Sequence, residues 1–194
     1  SIRSAKIKNA NKKANESLKK SKESFDNKLK DKTKRIKDFI NGICPYCGEN
    51  LGEEGGEIDH ILPRSYTLKF YDTVFNSEGN LLYVHQKCNQ AKKETIYKLN
   101  DIKAPITKEE IEKIINPISK NSYKTFTALT PEQQKAFKYA LFLDKDNEAY
   151  QRVINWLRTD QSSRVNGTQK YLAKKIQEKL KLMLPNKKFD FEFI

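Results

Sequence analysis

The sequence is poor in the residues that usually carry chemistry. It holds two histidines, three cysteines, one methionine and one tryptophan among 194 residues. No run of about 18 apolar residues occurs, so no membrane span is expected. Neither a leader-like stretch nor an initiating methionine opens it, and the expectation is a soluble piece of a longer chain. Three cysteines are an odd number; they argue against a secreted disulfide scaffold and for a reducing compartment with thiolate or metal chemistry. Few of the 38 basic residues are arginine. Arginine is the usual bidentate reader of guanine edges, so a lysine-rich surface suggests phosphate contact more than base readout. Hydrophobic residues still make up 37% of the chain, too many for a disordered composition.

What is present is positive charge, a net +13 with a pI near 9.5. Such a surplus favours polyanions through counterion release, or serves solubility alone. Residues 1–40 hold 14 basic and 5 acidic residues without a proline or glycine. Ile7, Leu18, Leu29 and Ile40 recur every 11 residues, and Ala14, Phe25 and Ile36 repeat that spacing between them. Eleven residues are three helical turns, so the pattern predicts one long basic helix with a thin apolar stripe. The turn-rich stretch 41–56 ends it. Strands are expected over 57–62 and 81–84, with a long loop over 63–80 between them and a helix over 88–99. Thr107 with Glu110, and Thr130 with Pro131 and Gln133, mark two capped helix starts. Helices around 147–158 and 168–184 follow, with Trp156 read as core. The last residues alternate, placing Phe189, Phe191 and Phe193 on one face of a strand that needs a sheet to cover it.

Cys44 and Cys47 form a C-x2-C pair, and His85 with Cys88 forms H-x2-C. Three sulfurs and an imidazole in two close pairs suit a tetrahedral structural zinc site. Buried free thiols beside a surface histidine are the alternative. If His85 ligates, His60 is the only imidazole left for chemistry, and Asp59 precedes it. The Asp59 carboxylate and the Asn89 amide are hard oxygen donors of the kind magnesium takes. His60 beside them could deprotonate water near neutral pH. Neighbours in a regular strand face opposite sides, so convergence requires an irregular strand end. A core histidine paired with its own aspartate remains the competing reading.

The stretch EIDHILPRS, the later Asn80 and LLYVHQKCNQAK together resemble the HNH nuclease motif, a ββα-metal fold. The resemblance implies an α+β, mostly helical chain: an HNH core with a two-stranded sheet, a long basic helix before it and a helical segment after it. It implies His60 as general base, Asp59 and Asn89 as ligands of a catalytic Mg2+, and Asn80 as the residue that pins the loop through backbone hydrogen bonds. Lys92, Lys93 and Arg64 would touch nucleic acid. His85 stands where zinc-containing HNH nucleases usually carry a cysteine, so structural Zn2+ is expected on Cys44, Cys47, His85 and Cys88. The segments YKTFTALTPEQQKAFKYALFL and RVNGTQKYLAKKIQEKL are similar to the region after the HNH module in type II CRISPR RNA-guided DNA endonucleases, most like the II-B group. That similarity implies a linker helix over 1–40, the nuclease module over 41–125, and a helical segment over 126–194 leading into a RuvC-like domain. The implied partners are guide RNA, the DNA target strand paired with it, and the RuvC-like domain of the parent chain, in a monomer of the bacterial cytoplasm. A stand-alone HNH endonuclease of restriction or homing type, and a non-catalytic zinc module that binds nucleic acid, are the alternatives.

Overall fold

In the computed structural model the backbone is described for residues 2–52, 55–118 and 125–183. The phenylalanine strand expected near residue 190 lies outside the described residues. The chain divides into two compact units, Ser1–Asp31 with Arg164–Ile194, and Lys32–Ser163. The charged N-terminal stretch is helix α1, Ile2–Phe39. In the first unit, Leu18, Phe25, Tyr171, Leu172 and Ile176 are all about half exposed or more. The stripe within residues 15–31 therefore stays on the surface, whereas Ile36 and Ile40 at the end of the same pattern enter the core of the second unit.

The second unit is built around an antiparallel pair. Strand β1 (Glu57–His60) runs against β2 (Leu81–Val84), with Glu57 opposite Val84 and His60 opposite Leu81. Helix α3 (Gln86–Lys92) follows β2 after a sharp turn at His85. Sheet and helix together make an α+β, ββα arrangement in a chain that is otherwise helical. The expected loop over 63–80 is corrected: it holds helix α2 (Arg64–Tyr71) and a 3-10 turn at Glu78–Asn80. Pro63 precedes the first turn of α2, where a missing N–H costs nothing, and Asp72 closes it in the left-handed region at φ 55°. The helix expected over 88–99 is shorter and earlier, because Lys93 adopts φ 50° and ends it.

Helices α4 (Lys108–Ile115) and α5 (Pro131–Ala140) begin at the capping boxes expected from Thr107 and Thr130. The two later helices form one, α6 (Glu148–Met183). Ile111, Ile115, Phe137, Tyr150, Val153, Trp156 and Leu157 are buried. Trp156 stacks on Phe137 at 5.6 Å between centroids, as a core residue. Full burial of each such side chain is worth about 1.5–3 kcal/mol. A Cβ on Gly79 would meet the Phe137 ring at 2.5 Å, so only glycine lets the 3-10 turn press against α5. That contact sets the start of β2. Lys138 of α5 is also buried; its Nζ donates to the Leu81 carbonyl and lies 4.3 Å from the Phe39 ring centroid.

Candidate active site and metal centre

The first cluster is the cysteine knuckle. The Gly48 N–H reaches the Cys44 carbonyl at 2.8 Å and the Cys44 N–H reaches that of Glu49 at 2.9 Å, folding C-P-Y-C into a tight turn. Gly48 sits at φ +78°, a conformation that favours glycine. His85 and Cys88 lie at the end of β2 and the first turn of α3. The four ligand atoms of Cys44, Cys47, His85 and Cys88 all lie within 4.8 Å of one another. Tetrahedral bonds of about 2.3 Å to sulfur would separate two sulfurs by about 3.8 Å, so the set fits a tetrahedral ion without rearrangement of its backbone. His85 Nε2 lies 3.1 Å from the Asn50 carbonyl, and Nδ1 lies 3.3 Å from the Cys47 sulfur. A carbonyl only accepts, so Nε2 carries the proton and Nδ1 keeps the lone pair that would bind a metal; the Nε2 bond is the usual outer support of a ligating histidine. Burial, with the neighbouring Cys47 and Cys44, pushes the Cys88 thiol up to about 12. Against its burial, backbone N–H groups and Cys47 hold the Cys44 thiol below its ordinary value.

The second cluster surrounds β1. Asp59 is buried; its Oδ2 accepts from the Tyr46 hydroxyl at 2.6 Å and forms an ion pair with the Lys92 ammonium at 3.0 Å. Burial and the adjacent Asp59 charge hold the Tyr46 phenol well above its ordinary range, so it stays a donor. Asp59 Oδ1 makes no hydrogen bond among the described residues. Asn89, on α3, donates through Nδ2 to Glu57 Oε1 at 2.7 Å. Its carbonyl oxygen, the atom of an amide that binds hard cations, is outside that bond. Glu57 and Asp59 share one face of β1 by alternation, so Asp59 and the Asn89–Glu57 pair lie on the same side of the strand.

His60 ends the strand, half-buried, with Nε2 3.0 Å from Asn76 Oδ1. An amide oxygen only accepts, so Nε2 holds the proton and Nδ1 keeps the lone pair. Burial lowers the imidazole pKa, and the Arg64 and Lys32 charges add to this against the Asn76 bond and Asp59. The neutral, proton-accepting form is thereby favoured near neutral pH. β1 pairs in regular register through His60, its last residue, so by alternation the imidazole and the Asp59 carboxylate leave opposite faces of the strand; the irregular end that their convergence requires is not found, and the two side chains take different partners.

Asn80 is fully buried and bonds three backbone groups. Its Oδ1 accepts from Leu62 N at 2.9 Å, and its Nδ2 donates to the Leu62 carbonyl at 3.1 Å and the Phe75 carbonyl at 3.0 Å. One side chain therefore clamps both ends of the 62–75 segment, two residues after His60 and one before Asn76. Arg64 and Lys93 are exposed. Lys92 corrects an expectation: it is not at the surface beside a phosphate. It is 0% exposed, and its ammonium bonds Asp59 and, at 2.8 Å, the His60 carbonyl. It is an internal brace between two consecutive residues.

Three residues of the site escaped the sequence reading. Glu57 could have been found from strand alternation, two positions before Asp59. Tyr46 lies inside the C-x2-C pair, where its own side chain carried no signal. Asn76 sits in an irregular segment 16 positions after His60 and has no local signature.

Residues 44–97 match the family model described as HNH endonuclease. The chain is 39% identical over 170 residues, 76% of its length, to the CRISPR-associated endonuclease Cas9 of Francisella tularensis subsp. novicida. It is 25% identical over 131 residues, 64% of its length, to the CRISPR-associated endonuclease Cas9 of Corynebacterium diphtheriae. It spans only about a tenth of either relative, 10% and 12% of their lengths. No helix among the described residues is long and apolar enough to cross a membrane. The ββα unit, the position of the family match on it and the two relatives agree, and the chain belongs to the HNH endonucleases.

Proposed function

We propose that the chain is the HNH nuclease module of an RNA-guided DNA endonuclease, and that it cuts the DNA strand paired with guide RNA by metal-assisted hydrolysis. The observation that carries this reading is His60: a neutral imidazole whose Nε2 is committed to Asn76 and whose Nδ1 lone pair is left for a water. In the proposed reaction the His60 ring, at the end of β1, turns toward the Asp59 face as substrate binds, and Nδ1 removes a proton from water as its oxygen attacks phosphorus. The P–O3′ bond breaks on the opposite side and O3′ takes a proton from solvent, giving a 5′-phosphate and a 3′-hydroxyl. Asp59 Oδ1 and the Asn89 carbonyl oxygen would hold a hard divalent ion, Mg2+. When bound, that ion supplies positive charge to the phosphate and to the departing oxygen. Zn2+ in the Cys44, Cys47, His85 and Cys88 set would be structural, with no open position for substrate. Arg64, Lys93 and the wider lysine surplus would hold the nucleic-acid backbone, while base pairing with the guide reads the sequence.

In the parent protein the flanking helices would join this module to a RuvC-like domain, within a monomer of the bacterial cytoplasm. The test is strand cleavage by the full chain with Mg2+, offered duplex DNA and an RNA–DNA heteroduplex, with His60→Ala alongside. Loss of a general base costs about 10^2–10^4 in rate. A folded His60→Ala variant cutting at the wild-type rate would end the assignment. Equal cutting of both substrates would favour the stand-alone endonuclease, and no cutting by wild type in any parent context would favour the zinc-binding module.

A further inference from the structure

Tyr46 lies between two ligands of one centre and touches a residue of the other. It is the third residue of Cys44-Pro45-Tyr46-Cys47, and its hydroxyl is 2.6 Å from Asp59 Oδ2. Its ring is buried and held edge-on by Tyr97 at 5.2 Å and Phe142 at 6.4 Å. The backbone beside it is fixed from outside as well, by the Lys103 N–H on the Pro45 carbonyl at 2.9 Å. The ion-pair partner of Asp59, Lys92, stands on a four-carbon stem that adapts to the carboxylate. The tyrosine ring has no such freedom, so the Tyr46 hydroxyl sets the direction in which Oδ1 points.

We propose that Tyr46 is a positioning residue that couples the Cys3His knuckle to Asp59, so that an ion in the knuckle and a divalent ion at Asp59 bind cooperatively. An ion held by Cys44 and Cys47 fixes both flanks of Tyr46, hence the hydroxyl, hence the carboxylate. The knuckle then reaches the reaction centre through one hydrogen bond and not only through general stability. By linkage the effect is reciprocal: whatever factor zinc adds to divalent affinity, the divalent ion adds to zinc affinity. The inference rests on the proposed role of Asp59 as a divalent-ion ligand.

The probe is Mn2+ alone, titrated into the full zinc-loaded chain and followed by the free-ion electron paramagnetic resonance signal. Zinc content is checked by elemental analysis at about one per chain, and folding by Trp156 fluorescence. Asp59→Ala is the control for the underlying reading: Mn2+ affinity that survives it overturns the divalent site and the coupling with it. Where Asp59→Ala weakens binding, Tyr46→Phe decides the inference separately. The variant keeps the ring and removes only the hydroxyl. Loss of an outer partner of a metal ligand costs about 10–100-fold in affinity, so Tyr46→Phe is expected to bind Mn2+ about tenfold more weakly at full zinc content. Stripping zinc should then weaken Mn2+ binding in the wild type and have little further effect in Tyr46→Phe. Zinc affinity, measured against a competing chelator, should rise with Mn2+ in the wild type only. Unchanged Mn2+ affinity in Tyr46→Phe overturns the proposal. So does an equal response of both proteins to zinc removal, or a Tyr46→Phe defect that excess zinc repairs, since each assigns the knuckle to stability alone.

Discussion

Asn80→Ala is the sharpest perturbation of the site that touches no reacting group. The side chain is fully buried and makes three hydrogen bonds to backbone. Each net bond is worth about 1 kcal/mol, and an orphaned buried group costs about 1–3 kcal/mol. Truncation removes all three bonds and leaves the Leu62 N–H without its acceptor in a region closed to water. A loss of about 3–5 kcal/mol is expected, a large share of the ~5–15 kcal/mol that holds a domain together. The single tryptophan, Trp156, is buried in the same unit, so urea unfolding read by its fluorescence reports on that unit.

The companion variant Asn80→Asp separates the clamp from simple packing. A carboxylate keeps an acceptor for Leu62 N–H but faces the Leu62 and Phe75 carbonyls with negative charge. Its pKa is therefore raised in the folded state. Stability that depends on the protonated acid is present below the unfolded aspartate range and lost as pH rises through the folded value. Asn80→Asp should lie nearer the wild type at acid pH than at neutral pH, whereas Asn80→Ala should show no such recovery. In the parent enzyme both should slow cleavage, because His60 and Asn76 are each within two residues of a clamped backbone group. A cost below about 1 kcal/mol for Asn80→Ala, with the rate unchanged, would refute the claim that this one amide holds the segment around His60.

Two further outcomes follow from the buried lysines. Lys92→Met should destabilise the second unit by about 3–5 kcal/mol, because Asp59 is left with its buried charge unpaired. The same variant should leave the salt dependence of DNA binding unchanged, whereas Arg64→Ala should reduce it; a reduced salt slope for Lys92→Met would put that ammonium back on the phosphate. Burial lowers the pKa of Lys138 to about 7, with the Lys32 charge adding to this and Glu78 opposing it. Between about pH 7 and the ordinary lysine range the unfolded chain holds this proton and the folded chain does not, so stability rises with pH there. Lys138→Met should flatten that rise in urea midpoints measured from pH 7 to 10; an unaltered profile would show that Lys138 is charged in the folded state.

The parts of this molecule legible in the sequence are those fixed by covalent neighbours. Capping boxes at Thr107 and Thr130 depend on a partner three residues away, and two close pairs of ligands announce Cys44, Cys47, His85 and Cys88. The strands expected over 57–62 and 81–84 follow from short apolar runs between turn residues, although the first ends two residues early, at His60. The misread segments depended on distant partners. Helix α2 has only eight residues, too few to be stable from propensity; Thr67 is buried, and Tyr66 and Tyr71 pack against the core, so tertiary contact makes the helix. The break after Lys92 is a backbone event at Lys93, and no residue type there foretold a positive φ.

Lys92 shows most clearly why a motif position does not carry its own chemistry. The resemblance to the HNH motif implies a phosphate contact at Lys92, in keeping with a chain that has this surplus of lysine. Yet α3 packs against β1, and the turn of helix that places Asn89 beside Glu57 places Lys92, three residues on, under the strand. There an ammonium meets the Asp59 carboxylate and the His60 carbonyl before any ligand arrives. A buried cation beside two site residues constrains them: it pairs with one oxygen of Asp59, and the other makes no hydrogen bond among the described residues. Under the proposed function, Lys92 and Tyr46 together would leave the carboxylate one oxygen to offer, which suits an ion that keeps most of its waters better than one that needs a bidentate ligand.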